Sequence, residues 1–316
     1  MADLRFCDLL ARQCLSGAFP STVEGPDGPI TDETCFVTAQ VALILSDRLA
    51  SPGANGNREA LREAQRRALD FIETCAAPEV PGAFLFYPPE GTARLDIRLP
   101  ADADDTALAW MALVAGGRRS AQEAATTLPA LYASHCARAA RRGDPPFVRA
   151  PMVRTWLDAE APANPVDLIV NLNVLASLAR AGVDMSAPDG FGARLCAGVA
   201  AALPDGPPSL SQLRMLAPFY AHPAELTEAL SRAACSGVRL LAPALARIAP
   251  DTGAAWPDDD RPLYCNAHGR PVWRSPTLQL ARRCRDAASV ETVSNALSSS
   301  AISGGFHDFH AQIRTR

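Results

Sequence analysis

The chain has 316 residues, of which 48% are hydrophobic and 20% charged, with a formal net charge of −4 at pH 7. This balance supplies ample apolar surface for a core and, with no long basic run, excludes nucleic acid as a main partner. All thirty basic residues are arginine, which excludes P-loop and Schiff-base lysine chemistry. No apolar run reaches the length of a membrane span, and no signal peptide is recognised, so a cytoplasmic location is expected.

Apolar residues recur at helical spacing through most of the chain, and the alternation typical of strands is scarce. Clusters of Pro, Gly and Asp separate the helical segments. One short apolar run, at 83–87, precedes two prolines and is predicted to be extended. In chain order the pattern predicts helices at 3–15, 33–50, 58–76, 103–116, 119–140, 165–182, 188–202, 208–220, 223–234, 236–248, 275–287 and 288–298.

Two kinds of predicted helix alternate along the chain. Segments 58–76 and 119–140 carry charged faces, whereas four other segments are apolar on nearly every side and are therefore expected to be buried. This alternation predicts an all-α fold, an (α/α)6 toroid of helical hairpins. We expect one domain over 1–300 and a flexible C-terminal tail at 301–316.

The four segments expected to be buried each begin with a residue that can cap a helix. In the predicted toroid these helices run parallel, so their N-termini converge on one mouth. For any one of these residues, capping alone is the simpler interpretation. The capping residues are Asp32, Asp104, Asp167 and Ser275.

An acidic cluster lies at the start of one of these segments, where Asp102, Asp104 and Asp105 fall within four residues. One side chain is enough to cap a helix, and the helix dipole adds only about 0.3–1 kcal/mol of stabilisation for a nearby charge. Crowded carboxylates repel each other, so at least one is expected to keep its proton above its ordinary pKa. A protonated carboxyl facing an apolar cavity is a Brønsted acid, and ionised neighbours can orient it.

The segment Leu99-Pro100-Ala101-Asp102-Ala103-Asp104-Asp105-Thr106-Ala107-Leu108-Ala109 resembles the DxDD-T-A signature of class II terpene cyclases, including squalene–hopene and diterpene cyclases. A second segment, at 269–275, resembles the G-x-W-x-S helix entry of the same family. The resemblance implies a single-barrel member with a terpene cyclase β-domain-like fold. It also implies that Asp104 protonates the terminal alkene or epoxide of an isoprenoid, while Asp102 and Asp105 hold the proton in place.

The resemblance implies a polyprenyl or polyprenyl diphosphate substrate and no required cofactor, with Mg²⁺ assisting only a diphosphate. No metal site is predicted, because the acidic cluster lacks the third acid of the metal motif of ionising cyclases. Peripheral contact with a membrane and the formation of a homodimer are both possible on this sequence. Aromatic candidates near the site, which would stabilise cations, are Phe36, Phe84, Phe86, Tyr87, Trp110, Trp156 and Trp273.

Polar residues near the cluster have two interpretations each. Asp167 and Asn171, four residues apart on one helix face, form either a satisfied network between helices or part of the cavity wall. Arg154, with Arg94, Arg98 and Arg149, either holds a diphosphate or is solvated at the surface.

Two other functions stay open at this point. One is a binding or scaffold protein on the same toroid, favoured by an aromatic content of only 6%. The other is a toroid enzyme of different acid–base chemistry, such as a glycosidase with Asp104 as acid and Asp32 or Asp167 as base. An open polar groove would favour the glycosidase, whereas a deep apolar pocket would favour the cyclase.

Overall fold

The structure, a computed structural model, describes residues 2–25, 27–51, 57–90, 99–161, 163–249, 259, 261–266 and 268–287. The helices of this part are α1 (Ala2–Leu10), α2 (Cys35–Ala50), α3 (Arg58–Thr74), α4 (Ala103–Ala115), α5 (Ala121–Ser134), α6 (Leu168–Arg180), α7 (Phe191–Ala202), α8 (Leu210–Leu216), α9 (Pro223–Cys235), α10 (Ala242–Ile248) and α11 (276–287). A 3₁₀ turn, Arg239–Leu241, precedes α10. The strands are β1 (Pro20–Gly25), β2 (Gly28–Glu33), β3 (Tyr264–Cys265) and β4 (Pro271–Arg274).

The predicted alternation of helices is present. Helices α2, α4 and α6 are buried along most of their length, because their sequences offer no charged face. Helices α3 and α5 bury one face only and present charged or polar side chains on the other. The outer helix α5 begins with a capping box, in which Ser120 and Glu123 bond each other's backbone N–H groups.

Five helices with buried faces form a closed ring, which we call the helix ring: α2, α4, α6, α9 and α11. Helix α2 packs on α4, α4 on α6, and α6 on α9. Arg282 of α11 closes the ring, since its guanidinium donates to Glu225 of α9 and to Gln40 of α2. The count of six hairpins stays a prediction, because segment 288–298 lies outside the described residues, as does the tail at 301–316.

The all-α prediction is wrong in one respect, because the fold contains a four-stranded antiparallel sheet in the order β2-β1-β4-β3. Strand β1 pairs with β2 in a hairpin and with β4, so the sheet joins two segments that are far apart in the sequence. The strands have only two to six residues, too few for a clear alternation of apolar and polar residues. The turn at 25–28 separates the two strands of the first hairpin rather than two helices.

Several predicted boundaries also change. Segment 208–220 is helical only over Leu210–Leu216, and Pro218 follows within two residues. The extended segment at 83–87 is present in part, since Phe84 forms single β-bridges with Ala76 and Asp102. Asp102, not Asp104, caps α4, and Thr34, not Asp32, caps α2. Among the described helices, none has the length and apolar character needed to cross a membrane.

Candidate active site

A cavity of about 350 Å³ lies at the N-terminal end of the helix ring. The first turns of α2, α4 and α6 contribute Phe36, Asp104 and Val170 to its wall. The turn between β3 and β4 contributes Asn266 and His268, so the sheet covers part of the cavity that the helices leave open. The lining residues are Phe36, Phe86, Leu99, Asp102, Asp104, Asp105, Thr155, Trp156, Val170, Phe219, Tyr220, Tyr264, Cys265, Asn266, His268 and Trp273.

Seven of the sixteen residues that line the cavity are aromatic, although aromatic residues make up only 6% of the chain. The rings pack edge to face, with centroids 4.8 Å apart for Phe36 and Tyr264 and 5.6 Å apart for Phe86 and Trp273. Aromatic faces attract cations, and edge-to-face packing fixes the orientation of the rings. The aromatic lining residues are Phe36, Phe86, Trp156, Phe219, Tyr220, Tyr264 and Trp273.

Asp102 fixes the position of the acidic cluster. Its Oδ1 accepts the backbone N–H groups of Asp104 at 2.8 Å and Asp105 at 2.7 Å, which caps α4. Burial raises the pKa of Asp102, while its hydrogen bonds with Asp104 and Asp105 act in the opposite direction. The same residue therefore starts the helix and sets the directions of the next two carboxyls.

Asp104 is buried, and both of its carboxyl oxygens have a hydrogen-bond donor. Oδ1 accepts from Asn173 Nδ2 at 2.7 Å, and Oδ2 accepts from the hydroxyl of Tyr220. Burial and the neighbouring Asp102 raise the pKa of Asp104 to about 7, against the effect of the two donors. At neutral pH, Asp104 is therefore protonated in part of the molecules. When it is ionised, its carboxylate accepts hydrogen bonds from Asn173 and Tyr220.

Asp105 has a different environment, because its two carboxyl oxygens are buried, no described residue donates a hydrogen bond to them, and its side chain instead bonds the carboxyl of Asp102. Burial and the nearby Asp102 raise its pKa well above the ordinary range. Loss of its proton would leave a buried charge without donors, which is costly. Asp105 therefore stays neutral, and Asp104 is the better proton donor of the two.

Behind Asp104, a network of polar side chains extends along the inside of the helix ring. Arg232 of α9 donates to Asn173 Oδ1, which orients the amide so that its Nδ2 faces Asp104. Arg232 also donates to Gln40 Oε1 at 3.1 Å. Gln40 in turn accepts from Arg282 at 3.0 Å. The orientation of the acid is thus linked to the contacts that close the ring.

Asp167 and Asn171 fit the interpretation of a satisfied network between helices. Asp167 caps α6 and accepts the backbone N–H of Phe219 at 3.3 Å, which holds the loop that carries Phe219 and Tyr220. Burial and the charge of Asp104 raise the pKa of Asp167 to about 8. Asn171 bonds the backbone of Val153 in both directions, at 2.8 and 2.9 Å.

Of the other residues predicted for the site, some line the cavity and some lie outside its lining. Phe36 and Trp156 belong to the lining. Trp110 lies outside it and donates from Nε1 to the carbonyl of Gly82 at 2.7 Å. Arg154 also lies outside the lining, because its guanidinium pairs with Asp144. A buried ion pair of this kind has a structural role and leaves Arg154 no free face for a diphosphate.

Asp32 also differs from its expected position, since it lies in β2 rather than at a helix start. Its Oδ2 accepts from the hydroxyl of Tyr87 at 2.8 Å and from Trp273 Nε1 at 3.0 Å. Burial raises the pKa of Asp32, and the two donors act against that rise. Its place in the sequence predicted a carboxyl at the mouth, whereas the structure places it against the back of a lining tryptophan.

The sequence analysis did not single out several residues of the site, among them Asn173, Phe219, Tyr220 and Tyr264. Asn173 and Tyr220 lie 69 and 116 residues from Asp104, so no local pattern links them to it. A signal was available for Asn173 alone. It is a second amide in an apolar helix, and a buried amide needs a partner.

No family model matches the chain, and no curated protein matches it. Among solved structures, the chain is similar to the type II terpene cyclase MstE from Scytonema, as an apo variant and in complexes with geranylgeranyl dihydroxybenzoate (substrate) and merosterolic acid A (product). These matches cover 90–91% of this chain and 94–96% of that chain, at 15–16% identity and a TM-score of 0.42. Similarity at this level carries no weight for fold or activity, so function must be inferred from the residues of the site.

Proposed function

We propose that this protein is a class II terpene cyclase, which starts a carbocation cascade by protonating a polyprenyl or polyprenyl diphosphate substrate. The observation that carries the proposal is the placement of Asp104, a carboxyl with a pKa of about 7 in the wall of a cavity that is lined by seven aromatic residues. Protonation of an alkene needs an acid that keeps its proton until the substrate is bound. It also needs surroundings that exclude water and stabilise positive charge.

In the proposed reaction, the O–H bond of Asp104 breaks as its proton binds the terminal alkene carbon or epoxide oxygen. The carboxylate that forms is stabilised by the Tyr220 hydroxyl and the Asn173 amide, which are already in place. Internal alkenes then attack the cation in turn, and loss of a proton from the last cation gives the neutral product. Asp104 recovers a proton before the next turnover, so the net reaction is an isomerisation.

Asp102 and Asp105 are proposed to act on Asp104 rather than on the substrate. The charge of Asp102 contributes to the raised pKa of Asp104, which keeps Asp104 protonated. Asp105, neutral and hydrogen-bonded to Asp102, adds no second negative charge beside Asp104.

The other candidate functions lack a specific observation in their favour. A glycosidase would need an open groove with two carboxyls facing each other across a sugar. Asp167 is instead fully buried as a helix cap, and Asp32 lies behind Trp273.

We also propose that the helix ring, with α3, α5 and α7 outside it, is an (α/α) toroid.

The proposal is tested by incubating purified protein with geranyl, farnesyl and geranylgeranyl diphosphates and with squalene, with and without Mg²⁺. Products are identified by mass spectrometry. We expect a cyclic product with at least one substrate, and we expect Asp104→Asn to lower its rate of formation by about 10²–10⁴-fold, the usual contribution of a general acid.

A matched control is Asp189→Asn, which makes the same change at an exposed position and should retain full activity. Circular dichroism establishes that each variant is folded. If folded Asp104→Asn forms the cyclic product at the wild-type rate, Asp104 is not the acid. If the folded wild-type protein converts none of the substrates, the cyclase proposal fails for simple isoprenoids.

A further inference from the structure

The buried carboxyl of Asp32 lies behind the cavity wall and has no part in the proton transfer from Asp104. It bonds two aromatic side chains, Tyr87 through its hydroxyl and Trp273 through the indole N–H. Trp273 lines the cavity, and Phe86, another lining residue, packs edge to face against both Tyr87 and Trp273. One carboxyl therefore contacts a connected group of three aromatic rings.

A purely structural role would be to hold β2, the segment at 83–87 and β4 together. A neutral amide at this position could accept the same two hydrogen bonds through its carbonyl oxygen. A carboxylate adds a negative charge in a buried place, which costs free energy unless the charge itself has a use. Within the described residues, no arginine forms an ion pair with Asp32.

The charge can act through the indole ring. A cation over the face of an aromatic ring is attracted by the electron density of the ring, and tryptophan gives the strongest attraction of this kind. A carboxylate that accepts the indole N–H increases that electron density and places a negative charge at the N–H edge of the ring. In a low-dielectric site, such a charge attracts a cation over the ring more strongly than it would in water.

We propose that Asp32 is a positioning residue that makes the Trp273 wall of the cavity selective for positively charged ligands. This proposal deepens the proposed function, in which carbocations form in the same cavity. It assigns the stabilisation of positive charge to a specific hydrogen-bonded pair, rather than to the aromatic lining in general.

The test measures binding and needs no turnover. The probes are N,N-dimethyldodecylamine, which is protonated at neutral pH, and its hydrocarbon isostere, in which CH replaces the nitrogen. Affinities are measured on the full chain by isothermal titration calorimetry, which does not depend on a tryptophan signal. We expect Asp32→Asn to weaken binding of the amine about fivefold, within the usual range for a cation–π contact, and to leave the hydrocarbon affinity unchanged.

Two further variants complete the test. Trp273→Phe keeps an aromatic ring but removes the N–H, so we expect the same selective loss for the amine. Tyr87→Phe keeps both the charge and the indole bond, so the ratio of the two affinities should stay as in the wild type. The proposal is overturned if Asp32→Asn weakens both probes equally or neither, or if Trp273→Phe retains the preference for the amine.

This result is independent of the test of the proposed function. A selective loss of amine binding in Asp32→Asn, together with no cyclic product from the wild type, would support the role of Asp32 and overturn the cyclase proposal. A cyclic product that depends on Asp104, together with equal effects of Asp32→Asn on both probes, would support the cyclase proposal and overturn the proposed role of Asp32.

Discussion

The two ends of the helix ring contain the same kinds of acidic residue in opposite states. At the N-terminal end, Asp104 lines an aromatic cavity, and its pKa is raised to about 7. At the C-terminal end, a second cavity of about 320 Å³ is lined by arginines and acids together, and there Glu228 has its pKa lowered to about 2. Asp104 is buried and the Glu228 side chain is only 12% exposed, so low exposure alone does not decide whether an acid keeps its proton.

The difference lies in what faces each carboxyl. Burial acts to raise the pKa of Glu228, but the charges of Arg282 and Arg285 more than offset it. At the other end, Asp104 faces a second acid, Asp102, and two neutral donors. The arrangement also suits the helix dipoles, since carboxyls gather at the N-terminal ends and arginines at the C-terminal ends. Arg232 joins the two regions through Asn173.

The largest effect on stability is expected where the ring closes. Arg282→Ala removes the partner of Glu225 and leaves a buried carboxylate unpaired, because both side chains are almost fully buried. We expect the free energy of unfolding to fall by about 3–5 kcal/mol in chemical denaturation. The control is Arg66→Ala, which breaks exposed ion pairs and should leave the free energy of unfolding nearly unchanged. Equal losses in the two variants would mean that the buried pair has no special role.

A second expected effect is a fall in stability as pH rises. Asp104 and Asp167 have folded pKa values of about 7 and 8 against an ordinary value of 3.8, so between these limits the folded state holds more protons than the unfolded state. The free energy of unfolding should therefore fall steadily as the pH rises from 5 to 8.

The same pH series on Asp104→Asn separates the contribution of the acidic cluster from that of other groups. This variant should show a shallower fall, because it lacks one titrating carboxyl and one source of repulsion for Asp167. Wild-type stability that is constant or rises over this interval would show that the cluster is ionised in the folded protein.

The smallest effect concerns the link between the two ends. Asn173→Ala removes a donor that lowers the pKa of Asp104, and it also cuts the connection to Arg232, which acts in the same direction. Because the proposed reaction needs protonated Asp104, activity should fall as pH rises through its pKa. The pH of half-maximal activity should move upward by about one unit.

Asn171→Ala is the matched control for this change on the same helix. Its contacts go to Val153 and to the carbonyl of Asp167, so stability should fall while the pH of half-maximal activity stays unchanged. An unchanged or lower midpoint in Asn173→Ala would mean that Asn173 does not set the acidity of Asp104.

The parts of the site that lie close together in sequence could be predicted from sequence. Asp102, Asp104 and Asp105 occupy one helix start, and the apolar character of α4 alone indicates that this start is buried. The contacts of Tyr220 and Asn173 with Asp104 could not be predicted, because they depend on the packing of α6 against α4 and on the position of the loop before α9. The sheet was not predicted for another reason: its strands are short, and β1 pairs with β4, which lies far away in the sequence.

The hydrogen bond that closes the helix ring joins Arg282 to Gln40, two residues that are 242 positions apart. During synthesis, α2 is complete long before α11 is made. Gln40 of α2 therefore cannot form its hydrogen bond with Arg282 until α11 has been synthesised. Contacts of such long range slow folding, because the intervening chain must be ordered before they form. We therefore expect the cavity to be among the last parts of the molecule to form, and nascent chains that stop before α11 to need chaperones.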